Sequence, residues 1–160
     1  MLRTATVQDA AAIGSIYNHY VANTAVTFEE EAVSVIDMAQ RIKETGESLP
    51  WVVQEEHGQV LGYAYASKWK GRCAYRYSVE TTVYLQDGLG GKGLGSQLYR
   101  RLIEDLRSRG LHAAMGGIAL PNPASVKLHE KFGFRKVAHF EQVGWKFGRW
   151  IDVGYWELLL

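Results

Sequence analysis

The chain has a single cysteine, Cys73, among 160 residues, so no internal disulfide can form and a reducing compartment suits it. Charge of one sign is also lacking. Eighteen Lys and Arg against 17 Asp and Glu leave a formal net charge of +1. That excludes a large electrostatic footprint for nucleic acid or an anionic membrane. No apolar run reaches bilayer-crossing length. The start, Met1-Leu2-Arg3-Thr4, carries no secretory pattern, so the expectation is a cytoplasmic protein without nucleic-acid or membrane partners. No His, Cys or carboxylate pair has metal-ligand spacing, and no metal is expected. Repeats, low-complexity segments and linkers are absent too, so residues 1–160 read as one domain with a full core. Aromatics are plentiful, with five Trp and nine Tyr, which belong in a core or a pocket wall.

Local patterns predict an alternation of strands and helices. Leu2 to Val7 reads as a strand, leading into a helix capped by Thr6 with Asp9 in the capping-box position. Ile13, Ile16, Tyr17 and Tyr20 give that helix one buried stripe. Asn23 to Phe28 is a loop, and Ser34 caps a second helix ending near Gly46. Strands over Trp51–Gln54 and Gln59–Ser67 flank the turn His57-Gly58. A long strand is predicted from Tyr75 to Leu85. Leu94, Leu98, Leu102 and Leu106 mark a helix stopped by Gly110. Leu111 to Leu120 reads as a strand, and Pro121-Asn122-Pro123 opens a helix that ends at Gly133. Strands near Val137–Lys146 and Trp150–Leu159 close the chain around Gly148. The class is α/β (α+β), a mixed sheet with helices packed on it.

The informative segment is the strand end Val83-Tyr84-Leu85, then Gly90-Gly91-Lys92-Gly93-Leu94-Gly95-Ser96. Glycines there allow unusual dihedrals and close ligand approach. The unpaired N–H groups and dipole of the leucine-striped helix make an anion site for a pyrophosphate, with Lys92 able to add charge. Residues 88–93 formally match the dinucleotide fingerprint, but the acid required about 20 residues on is missing. A Walker loop fails because Lys92 precedes Gly93, not Ser or Thr. A plain glycine-rich turn is the bland alternative. Five glycines between a long strand and a leucine-striped helix speak against the plain turn, and the remaining reading, coenzyme A, is the one a family resemblance implies.

This arrangement resembles the pyrophosphate loop of the GNAT acetyltransferase superfamily, with Gly90 where that family usually has Arg or Gln. Within it the chain is similar to the phosphinothricin (bar-type) and methionine sulfone/sulfoximine acetyltransferase group. Matching stretches run nearly end to end. They include Ile16-Tyr17-Asn18, residues 23–28, Trp69-Lys70-Gly71-Arg72, Val79-Glu80-Thr81-Thr82-Val83-Tyr84 and Leu120-Pro121-Asn122-Pro123-Ala124-Ser125. Leu128-His129-Glu130, Gly144-Trp145-Lys146-Phe147-Gly148, Trp150 and Asp152-Val153-Gly154 continue the series. The resemblance implies a mostly antiparallel central sheet with helices on both faces, acetyl-CoA as co-substrate, a small amine acceptor and a homodimer.

Acetyl transfer to an amine needs a base for the amine, donors for the carbonyl oxygen and a proton or donor near the departing sulfur. Glu80 shares one strand face with Thr82 and Tyr84. By pattern alone it is either a pocket base or a solvent-facing side chain; the resemblance assigns it the base. His129 stands where most of the superfamily has a tyrosine proton donor, and the phosphinothricin group has His there. Arg72 and Tyr75 are implied acceptor contacts, an Arg suiting an acceptor carboxylate. Phe28, Thr82 and Tyr84 are implied to line the acceptor's side-chain pocket. The backbone of Val83, Tyr84 and Leu85 would meet the pantetheine arm. Gly90, Gly91, Lys92, Gly93, Leu94, Gly95 and Ser96 would hold pyrophosphate, and Asn122 and Ser125 would touch the coenzyme. Cys73 lacks an obvious neighbouring base, so direct transfer is expected over an acetyl-cysteine route.

Overall fold

The computed structural model describes residues 1–160. The chain runs β1 (Leu2–Thr4), α1 (Ala10–Asn23), α2 (Val35–Gly46), β2 (Trp51–Glu56), β3 (Gln59–Lys68), β4 (Ser78–Leu85) and α3 (Leu94–Ser108). It continues with β5 (Ala113–Ala119), α4 (Pro123–Lys131), β6 (Arg135–Lys146) and β7 (Arg149–Leu159). The strands form one seven-stranded sheet in the order β1-β2-β3-β4-β5-β7-β6. Every pairing is antiparallel except β4 with β5.

Helices cover both faces, because alternate strand residues feed two cores. On one face Ile13, Ile16, Tyr17 and Val21 of α1 and Met38 and Ile42 of α2 pack on Trp51, Val53 and Tyr63. On the other, Leu98, Leu102 and Leu106 of α3 pack on Val52, Ala64, Val79 and Ala114, with Phe134 and Trp156. The leucine stripe read from sequence thus faces the sheet, its last three members fully buried.

The ends of several elements shift. β1 stops at Thr4 because Asp9 pulls the chain out of the sheet: its carboxylate accepts from the Thr6 N–H at 2.8 Å and from the Arg3 guanidinium at 2.8 Å. The long strand begins at Ser78, not Tyr75. Cys73–Tyr75 form a short helical turn in which the Tyr75 N–H donates to Arg72 O at 3.0 Å. Residues 71–77 are all exposed, so nothing draws this aromatic stretch into the sheet. β6 begins two residues earlier than read and bulges between Phe140 and Gly144.

The parallel pairing matters most for function. β4 and β5 are in register only over Ser78–Glu80 against Ala113–Met115. Beyond Glu80 they part, leaving a split at their C-terminal ends, where open α/β sheets bind ligands.

Candidate active site

A cavity of about 1050 Å³ occupies this split. It connects the two faces of the sheet. Glu80, Thr82, Tyr84, Tyr17 and Tyr65 line its α1 side, and Tyr99, Ser125, Leu128 and His129 line its α3–α4 side. Two adjacent glycines in β5 mark the crossing. A Cβ on Gly116 would come within 2.3 Å of His129 Nε2, and one on Gly117 would come within 3.1 Å of Glu80 Oε1 and the Tyr155 ring. Consecutive strand residues face opposite ways, so Glu80 and His129 stand on opposite faces of the sheet and meet through the split.

The free edge of β4 lines the passage. The Gln86 N–H donates to Leu61 O on β3 at 2.9 Å. The antiparallel ladder alternates, so Val83 and Leu85 turn their backbone groups the other way, into the split. In keeping with this, Leu85 O accepts from the Tyr20 hydroxyl at 2.6 Å. The Val83 and Leu85 N–H groups therefore form a row of donors along one wall.

At the far end the glycine loop enters α3. Gly88, Gly91 and Gly93 have φ of 77°, 78° and 83°, the left-handed region that favours glycine. Gly93 is the N-cap, and no side chain caps the helix. The first turn of α3 thus leaves its N–H groups for an anion. Gly90, Gly91, Gly93, Gly95 and Ser96 line the cavity; Lys92 and Leu94 do not. The basic groups at this end are Lys127 and Lys131 of α4, and the Lys131 ammonium donates to Ser96 Oγ at 3.0 Å. This chemistry fits a diphosphate-bearing coenzyme: bare helix N–H groups, two ammonium groups and a free strand edge for amide pairing.

On the α1 side, Glu80 is half-buried, and desolvation raises its carboxyl above the ordinary 4.5 while the charge of Lys70 pulls the other way. Tyr84 packs edge-on to Tyr17 at 5.5 Å and lies 4.9 Å from Tyr20. The Tyr17 hydroxyl lies 2.7 Å from Thr27 Oγ1. Trp69 stacks edge-on to Tyr155 at 5.3 Å, bordering Glu80.

On the α3–α4 side, His129 is buried. Its Nδ1 lies 2.7 Å from the Ser125 carbonyl, which can only accept, so Nδ1 carries the proton. Nε2 is then the acceptor, taking the Tyr99 hydroxyl at 2.7 Å. Tyr99 in turn lies 2.8 Å from Thr81 Oγ1. Burial pushes the imidazole below 6.5, so it is neutral. Asn122 and Ser125 line the cavity as expected, Asn122 also capping α4 through the Ser125 N–H at 3.2 Å.

Three expected acceptor contacts fall outside the cavity lining: Phe28, Arg72 and Tyr75. Arg72 and Tyr75 belong to the exposed 71–77 segment. Phe28 instead covers Gly144, where a Cβ would come within 2.4 Å of its ring. Cys73 is exposed and outside the cavity as well. Sequence reading missed Tyr65, Thr81, Tyr99, Lys127 and Lys131 as cavity residues and took Tyr17 and Tyr20 for core alone. The available signal was Gly116-Gly117, since glycines inside a strand mark a close approach.

Residues 2–154 match the family described as "Acetyltransferase (GNAT) domain". The chain is 40% identical over 160 residues to a phosphinothricin N-acetyltransferase of Streptomyces coelicolor, covering 98% of this chain and 94% of that one. It is 41% identical to an L-methionine sulfoximine/L-methionine sulfone acetyltransferase of Salmonella typhimurium, covering 99% and 94%. Among solved structures it is similar to a GNAT superfamily phosphinothricin acetyltransferase from Sinorhizobium meliloti in complex with AcCoA. The TM-score there is 0.96 at 36% identity, covering 100% of this chain and 88% of that one.

Proposed function

The chain belongs to the GNAT acetyltransferase family, and on that premise we propose that it acetylates the primary amine of a small amino-acid-like acceptor. The acceptor is of the phosphinothricin, methionine sulfoximine or methionine sulfone type. Acetyl-CoA supplies the activated acyl group and a thiol leaving group. The observation that carries the reading is Glu80 facing one end of a cavity whose other end is the α3 N-terminus.

The coenzyme side is the glycine loop, with Gly90 to Ser96 and the α3 N–H groups for the diphosphate, helped by Lys127 and Lys131. Val83 and Leu85 offer donors for the pantetheine amides and the acyl oxygen. Asn122 and Ser125 lie along the same wall. Glu80 takes the proton from the acceptor's ammonium, directly or through a water, and its raised carboxyl suits a base. Tyr99 and His129 act as a pair: Tyr99 holds its hydroxyl proton toward Nε2, the mobile proton on the coenzyme side. Thr82, Tyr84, Tyr17 and Tyr65 bound the acceptor. The Trp69–Tyr77 segment borders Glu80 through Trp69 and Lys70, and Arg72, exposed in the same segment outside the cavity lining, is the proposed partner of the acceptor's carboxylate.

A homodimer goes with this reading. β6 is an edge strand exposed on nearly every residue from Arg135 to Val143, with Val137, Phe140, Val143 and Trp145 apolar. Phe147 and Trp150 extend the patch at the turn. An unpaired apolar edge of this length is suited to a second copy. A cytoplasmic location agrees with the lone thiol.

The test is acetyl-CoA consumption with methionine sulfone and phosphinothricin beside a polyamine, an aminoglycoside and a peptide N-terminus. Turnover of the first two only is expected. Turnover confined to the cationic acceptors, or acetyl-CoA binding with no acetylation, would overturn the proposal.

A further inference from the structure

Lys146 sits near the end of β6 and is 2% exposed, yet no carboxylate touches it. Its ammonium donates to three backbone carbonyls: Val21 O at 2.8 Å, Thr27 O at 2.9 Å and Glu29 O at 2.8 Å. An ammonium has three N–H bonds, and all are used. Val21 lies in the last turn of α1, where the helix dipole favours a cation. Thr27 and Glu29 belong to the loop between α1 and α2. Burying a charge is costly, and a Met of similar length would fill this space without that cost. Desolvation lowers the Lys146 pKa, and the charge of Glu30 opposes it.

What the ammonium holds is part of the cavity wall. Val26 and Thr27 line it, and Thr27 reaches Tyr17 through its hydroxyl at 2.7 Å. A second contact from β6 grips the same loop, the Phe28 ring lying over Gly144. Two points of β6, two residues apart, thus grip a loop that is otherwise held to α1 by Thr27 on Tyr17 and to α2 by Glu29 on Arg41 at 2.7 Å.

We propose that Lys146 is a positioning residue for acceptor specificity, clasping the 24–29 loop so that Val26 and Thr27 shape the acceptor end of the cavity. This rests on the reading of the Glu80 side as the acceptor side. Neither Lys146 nor residues 24–29 hydrogen-bond to α3 or α4, which build the coenzyme end.

The test uses the full chain as Lys146→Met and, independently, Gly144→Ala, whose Cβ pushes Phe28 from the other side. KM for methionine sulfone, KM for acetyl-CoA and amide exchange of residues 24–29 are measured in each. In Lys146→Met the acceptor KM rises about tenfold while the acetyl-CoA KM stays within about twofold, since only acceptor binding is disturbed. Exchange across 24–29 quickens, and Gly144→Ala moves both readouts in the same direction. Unaltered acceptor KM in a folded Lys146→Met, or both KM values rising together, would overturn the proposal. If Lys146→Met does not fold, Gly144→Ala with wild-type acceptor KM overturns it. If the wild type acetylates no amine, the functional reading has failed on its own; unchanged exchange at 24–29 in Lys146→Met then overturns the clasp, and faster exchange supports it.

Discussion

The Tyr99 hydroxyl lies 2.7 Å from Nε2 of His129, joining α3 to α4 beneath the split in the sheet. The Ser125 carbonyl holds Nδ1–H and so sets the tautomer of His129, leaving Nε2 to accept from Tyr99. A histidine implied by resemblance as a free proton donor is thereby half of a pair.

Tyr99→Phe tests the pair. It leaves Nε2 buried without a donor, which costs on the order of 1–3 kcal/mol. The expected result is a lower melting temperature and a reduced kcat with little change in acceptor KM. Nitrogen-15 NMR of the imidazole reads the tautomer directly: the Nδ1–H form is expected in both proteins with the Nε2 resonance shifted in the variant, and an Nε2–H form in the wild type would count against the assignment.

Glu80→Gln removes the base, and kcat/KM is expected to fall by about 10²–10⁴. The same change stabilises the fold at neutral pH. A carboxyl raised in the folded state favours its protonated form, so its contribution is full below the ordinary 4.5 and is lost as pH rises through the folded value. The variant's advantage in denaturant melts therefore grows above pH 4.5 and vanishes below it.

Desolvation raises Glu80, and the charge of Lys70 holds part of that rise back. Lys70→Met moves the acid limb of the kcat/KM profile to higher pH. An unmoved limb would mean that Glu80 is not the group titrating.

Gly116→Ala places a methyl 2.3 Å from His129 Nε2, with strand backbone on one side and a buried ring on the other. Neither can give, so a loss of about 1–3 kcal/mol is expected, together with the Tyr99–His129 bond. Calorimetry beside the kcat measurement checks both.

Most elements were legible in the chain. The 94-98-102-106 leucine stripe, the Ser34 cap, the Pro121-Asn122-Pro123 opening of α4 and the His57-Gly58 hairpin turn are local patterns, set by periodicity and short-range hydrogen bonding. Tyr75 misled because an aromatic and β-branched run reads as strand whether or not neighbours cover it. Phe28 was legible only as the end of the matching 23–28 loop, and nothing local indicated that a glycine more than 100 residues away would receive its ring.

The sequence alone determined the glycine loop, the helix it opens, the order of elements and the family to which they point. Those depend on backbone dihedrals and spacing within a few residues. Tertiary structure decided that Glu80 and His129 look through one opening from opposite faces, that Arg72 stays outside it, and that Lys146 ties the last hairpin to the first loop. Each depends on where two strands part or on contacts across most of the chain, and no local periodicity encodes them.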